Sequence, residues 1–233
     1  MTDPEPAGRR AVDRLASLSW VQRSLLVGGA LAAAWSVWFP VGVGLTGRML
    51  WDVLLFIVVP GGLALAHGRR LGWRVDRRAV RDSLLLAAFV TPFYVVGSAL
   101  PSVRAFYPMW GMDSAVLSEF LPHALQQFVV VLAAETYYRG LLCVGVRELG
   151  PKAAFISPVV YFLHHLGKPP VEQLLSAPTD VLFGLVDYHA DSILPSVVAH
   201  GLGLILLDWL VLHEPVVPAE VVLGWLRWLP VPL

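Results

Sequence analysis

The chain has 233 residues, 57% of them hydrophobic and 15% charged, and its mean hydropathy is +0.67. An ordinary soluble domain carries roughly 25% charged residues, so the composition excludes that class and predicts an all-α polytopic membrane protein. Acidic and basic side chains balance to a formal net charge of zero, and the arginines cluster at Arg9, Arg10, Arg14 and Arg23 and again from Arg69 to Arg81. Such juxtamembrane clusters record topology, so the expected partners include the lipid bilayer and no nucleic acid.

Residues 1–23 are polar and lack a short apolar core followed by a small-residue cleavage site, so they read as a cytoplasmic segment with no signal peptide. Stretches near the roughly 20 residues that cross a bilayer follow at 24–45, 49–67, 82–100, 120–147, 151–166 and 192–213, with a shorter, weakly apolar one at 180–189. These predict about six to eight transmembrane helices within residues 24–213. The basic clusters before the first span and after the second put the N-terminus in the cytoplasm and the protein in the cell inner (plasma) membrane. After His165, Gly167-Lys168-Pro169-Pro170 and Pro178 punctuate a polar connection, and Asp180 to His189 reads as either a full span or a re-entrant segment. Residues 214–233 read as an amphipathic interfacial segment around Arg227. Trp20, Trp51, Trp73, Trp110 and Trp209 fall near span ends, as an aromatic belt requires. The single Cys143 excludes an internal disulfide and reads as a small buried hydrophobe.

Within the fourth apolar stretch, Ala134-Glu135-Thr136-Tyr137-Tyr138-Arg139-Gly140 sets an acid and a base four residues apart on one helix face. Charge at membrane depth costs from roughly 3 to more than 10 kcal/mol per residue. The pair therefore reads either as a structural clip between helices or as functional machinery. His164, His165 and His200 lie in later apolar runs. At ~1.5 Å of rise per helical residue, Glu135, His165 and His200 stand about 18, 21 and 12 Å from the presumed cytoplasmic ends of their spans. They share a level within several ångströms. Burial moves a carboxyl and an imidazole toward neutral titration, which suits acid and base work, and an imidazole on a third helix supplies an oxyanion donor. Zinc is the rival reading, weakened because no H-E-x-x-H occurs and adjacent His164 and His165 diverge by about 100° on a helix. No cofactor is expected, with zinc the minor alternative.

These residues resemble the CPBP family of glutamic intramembrane proteases, which includes the type II CAAX prenyl endopeptidase and bacteriocin-processing and self-immunity proteins. That family's first motif is E-E-x-x-x-R followed by Gly, its second F-x-x-x-H and its third H-x-x-x-N or D. Here the first is similar to Ala134–Gly140, the second to Tyr161-Phe162-Leu163-His164-His165, and the third to His200-Gly201-Leu202-Gly203-Leu204. Two positions depart from the pattern. The family's first glutamate, generally taken as the water-activating base, corresponds to Ala134, and its Asn or Asp corresponds to Leu204. Gly167-Lys168-Pro169-Pro170-Val171-Glu172 also resembles a myxosortase-like bacterial branch; read without that resemblance, it is a Pro-stiffened loop with a surface ion pair.

The resemblance implies a CAAX-protease-like bundle, with its core at about residues 120–208, that hydrolyses a peptide bond in a membrane-anchored or lipidated protein substrate. Glu135 is the expected base, Arg139 its orienter, His165 the group that binds or polarises the water, and His200 the oxyanion donor. Secondary candidates are His164, Tyr138 and Asp208, the last taking over the missing carboxamide role. The alternative is a non-catalytic immunity or binding protein for hydrophobic peptides, which the substitution at Ala134 favours. A proton-coupled transporter is weaker, because no inverted repeat is evident.

Overall fold

A computed structural model describes residues 17–38 and 42–233. Most of the expected cytoplasmic segment, with Arg9, Arg10 and Arg14, lies outside the described residues, as do positions 39–41 of the first expected span. Among the described residues there is no strand.

Helix α1 (Trp20–Trp38) opens on a capping box: Ser19 N–H donates to Gln22 Oε1 at 2.9 Å, and Gln22 N–H to Ser19 Oγ at 3.3 Å. Helix α2 (Gly44–Ala66) follows, then α3 (Arg77–Gly97), whose first turn is capped by Asp76 accepting from the Ala79 N–H at 2.9 Å. A short α4 (Pro101–Arg104) leads to the long α5 (Leu117–Leu141), which widens into a π-helical turn over Thr136–Leu141. Beyond α5 the chain runs through an irregular 3₁₀ segment containing Pro151, then α6 (Ser157–His164), α7 (Pro170–Ala190), α8 (Leu194–Val211) and α9 (Ala219–Leu226).

Four of these, α2, α3, α5 and α8, are long and apolar enough to cross a membrane. The expected stretches and the helices differ in three places. The stretch at 151–166 contributes only the eight-residue α6, about 12 Å of rise, far short of a bilayer. The expected polar connection around Pro170 and Pro178 and the short stretch at 180–189 form one 21-residue helix, α7; Pro170 seeds its first turn, where a missing N–H costs nothing. Its three internal acids, Glu172, Asp180 and Asp187, hide it from a hydropathy reading. Helix α1 carries the polar Gln22 and Arg23 in its first turn.

Small residues set the packing. A Cβ on Gly203 of α8 would collide with the Tyr94 ring of α3, and one on Gly201 would stand 2.7 Å from the Phe128 ring of α5. These glycines let three helices meet closely around the level of His200. A Cβ on Gly140 would lie 3.0 Å from the Leu71 carbonyl, so the π turn of α5 is pressed against the loop after α2. Arg104 closes the other end by donating to the carbonyls of Val211 and His213, each at 2.8 Å, where α8 runs out of internal partners. The C-terminal segment folds back: Val222 is fully buried beside Val103, Tyr107 and Leu207, while Trp225 and Trp228 stay exposed. Trp20 is no belt residue. It is buried, and its indole donates to the Gly145 carbonyl at 2.6 Å. Cys143 is fully buried.

Candidate active site

Glu135, at the end of the α-helical part of α5, is fully enclosed. Its Oε1 meets His200 Nδ1 at 2.6 Å, and its Oε2 stands 3.1 Å from Arg139 Nε. The Arg139 guanidinium also reaches Asp180 Oδ1 of α7 at 2.7 Å. Both contacts lie at ion-pair distance, yet no guanidinium N–H is aligned on either oxygen, so the attraction is between charges and not through directed hydrogen bonds. The rings of Tyr161, Phe183 and Tyr138 surround the guanidinium at 5.0, 5.6 and 5.7 Å. Ser157 Oγ donates to Asp180 Oδ2 at 2.5 Å, fastening α6 to the same network.

His200 is aimed by the start of its own helix. Asp187, fully buried, accepts from the Ser196 N–H at 3.1 Å and from Ser196 Oγ at 2.5 Å, a carboxylate on the positive end of α8. The Ile193 N–H donates to the Gly72 carbonyl at 2.9 Å, fixing the helix entry. One turn further on, His200 touches Glu135 on one side and opens on the other into a cavity of about 490 Å³.

That cavity is walled by α3, α7 and α8 and by the C-terminal residues Leu226, Trp228 and Leu229, and is mostly apolar. Its polar lining includes His165, His200, Tyr107, Lys168 and Glu172. His165 Nδ1 is 2.8 Å from the Tyr161 carbonyl, so Nδ1 carries a proton, and in the neutral ring Nε2 keeps its lone pair. Nε2 stands 3.6 Å from Glu172 Oε1. Glu172 is held by the Tyr107 hydroxyl at 2.8 Å and by Lys168 Nζ at 2.9 Å.

The expected residues thus divide. His165 and His200 open on one cavity; Glu135 and Arg139 lie behind His200 and line none of it. His164 faces away, with Nδ1 on the Tyr138 hydroxyl and its ring 4.4 Å from Trp35, so neither secondary candidate reaches the cavity. Asp208 pairs with His123 at 2.9 Å and is fully buried, whereas Leu204, in the carboxamide position, lines the cavity. Ala134 packs on the aromatic cluster of α1 and α2. The Lys168–Glu172 ion pair expected on the surface lies in the cavity wall instead. Asp180 and Asp187 escaped the sequence reading, although their spacing of seven sets both on one face of a helix. Among the described residues no group of three or more His, Cys, Asp or Glu side chains is arranged to hold a metal ion.

Spanning helices, a buried carboxylate–arginine cluster and a histidine-lined apolar cavity define a multi-pass membrane protein with an internal polar site. Residues 117–205, which carry Glu135, Arg139, His165, Asp180 and His200, match the family model described as type II CAAX prenyl endopeptidase Rce1-like. The match covers only this segment of the chain, and it supports a CAAX-type intramembrane endopeptidase in general. No curated protein and no solved structure matches the chain.

Proposed function

We propose that the protein hydrolyses a peptide bond in a membrane-anchored or lipidated protein substrate, with its N-terminus in the cytoplasm and the inner (plasma) membrane as its seat. The observation that carries the reading is His200, fixed by a buried carboxylate at 2.6 Å on one ring edge and open to the cavity it shares with His165 on the other. With Nδ1 held by the Glu135 carboxylate, the Nε2 edge of His200 is the one directed to the cavity, where a proton on it would meet the developing oxyanion. His165, with its free Nε2 lone pair, accepts a hydrogen bond from the attacking water. Glu135 serves best as the orienter of His200, because its carboxylate stands behind that ring. The largely apolar walls suit an anchored or lipid-bearing chain segment and keep bulk water out. No covalent intermediate is required, and the barrier falls through positioning and charge stabilisation.

The test is proteolysis in liposomes that contain the purified protein and a reporter with a C-terminal membrane anchor or farnesylated tail, with cleavage read by mass spectrometry. Wild type should cut, and His200→Ala should lose roughly 100- to 1000-fold in kcat, the usual cost of an oxyanion donor. An intact reporter that co-purifies with wild type supports the binding-protein reading instead, which Leu204 at the carboxamide position favours.

A further inference from the structure

Peptide hydrolysis needs a proton acceptor beside the attacking water, and neither expected position supplies one inside the cavity. Ala134 has no acceptor and packs on the α1–α2 cluster, away from the cavity wall. Glu135 has no exposed surface, and His200 stands between its carboxylate and the cavity.

On the opposite wall, Glu172 is the one carboxylate among the described residues that lines this cavity. It sits in the first turn of α7, where the helix dipole favours an anion. Tyr107 and Lys168 each give it one proton, and Lys168 Nζ is itself 2.7 Å from the Tyr107 hydroxyl, which locks the trio. A carboxylate has about four acceptor sites, so roughly two remain open. The Nε2 of His165 stands 3.6 Å from Glu172 Oε1. In the neutral ring with its proton on Nδ1 these are two acceptors, and a water that donates to both satisfies the pair.

We propose that Glu172 is the catalytic base of this protein, drawing a proton from a water held between it and His165. The proposal rests on the protease reading. In the first step the water oxygen bonds to the peptide carbonyl carbon. One water proton passes to Glu172, and the carbonyl π electrons move onto the oxygen facing His200. In the second step the C–N bond breaks as the tetrahedral intermediate collapses, and the carboxyl proton of Glu172 passes to the leaving amine. Water and one peptide bond yield one carboxylic acid and one amine, with no further reactant.

The experiment uses the full chain in liposomes with the anchored reporter and compares Glu172→Gln, Glu172→Asp and Glu172→Ala, the last with and without added formate. Cys143 protection from a thiol-reactive dye reports whether each variant is folded. Glu172→Gln should lose at least about 100-fold in kcat, the lower end for a general base, with KM little changed. Glu172→Asp should keep part of the rate, and formate, entering the space left by the side chain, should restore part of it to Glu172→Ala but none to His200→Ala. A folded Glu172→Gln that cuts within about threefold of wild type overturns the assignment and leaves the protease reading intact. Absence of formate rescue in a folded Glu172→Ala also overturns it, leaving Glu172 a structural role. A wild type that cuts neither reporter overturns the protease reading, and the assignment falls with it.

Discussion

Replacing Arg139 by Met tests whether the buried cluster is held by the arginine's charge. Arg139 has no exposed surface and serves Glu135 at 3.1 Å and Asp180 at 2.7 Å, both fully buried. Met keeps much of the apolar stem that packs among Tyr161 and Phe183, so the change is largely one of charge. Removing one partner of a buried pair typically costs about 3–5 kcal/mol, and serving two carboxylates sets the expectation at the upper end. For a chain of this size that corresponds to a fall of roughly 10 °C or more in the thermal midpoint. The single, fully buried Cys143 makes a direct assay possible in detergent, because a thiol-reactive dye gains signal only when the core opens. Adding Asp180→Asn to Arg139→Met removes one orphaned charge and should recover about 2 kcal/mol, the scale of one unsatisfied charged group. Arg139→Met melting within about 1 kcal/mol of wild type, or a double variant less stable than the single, would refute the account of the cluster.

Three further outcomes follow from the geometry. Gly203→Val drives a side chain into the Tyr94 ring and should cost about 1–3 kcal/mol by overpacking, whereas Gly62→Ala, with nothing within 4 Å of its new Cβ, should leave the dye-reported midpoint unchanged. Asp76 lies in the loop before α3, where the Ala79 N–H, and after it Arg74, hold its carboxyl below the usual carboxylate range. Its contribution is therefore present above the unfolded value of about 4 and is lost as pH falls through the lower folded value; Asp76→Asn, which can still cap, should flatten that acid fall in the thermal midpoint. Ala134→Glu sets a carboxylate on the α1–α2 cluster and away from the cavity, so it should lower the midpoint and leave the cleavage rate no higher; a rise in rate would argue that position 134 reaches the substrate.

Membrane class and the pairing of Glu135 with Arg139 were legible in the sequence because both depend on local signals, apolar run length and a spacing of four. Depth arithmetic brought Glu135 and His200 to one level, and they meet at 2.6 Å even though α5 ends at Leu141 and not near residue 147. Which way each side chain points was not legible. Adjacent His164 and His165 look alike in sequence, and only the packing of α6 sends one to Tyr138 and the other to the cavity. Only residues 180–189 of helix α7 stand out in the sequence, for a physical reason: Glu172, Asp180 and Asp187 lower its hydropathy, yet each is satisfied by a partner on another element. A run of acids seven or eight apart on an otherwise apolar stretch is the signal that would have revealed it.

Proteolysis by the histidine-lined cavity is read in native membranes by co-expressing the chain with a reporter bearing a C-terminal membrane anchor and sequencing the new termini. Wild type should give one defined cut, and His165→Ala and His200→Ala should each cut at least about 100-fold more slowly, all three proteins being present at equal levels and equally protected at Cys143. A cut that persists undiminished in both histidine variants, or a reporter that stays whole beside folded wild type, would contradict proteolysis by this cavity.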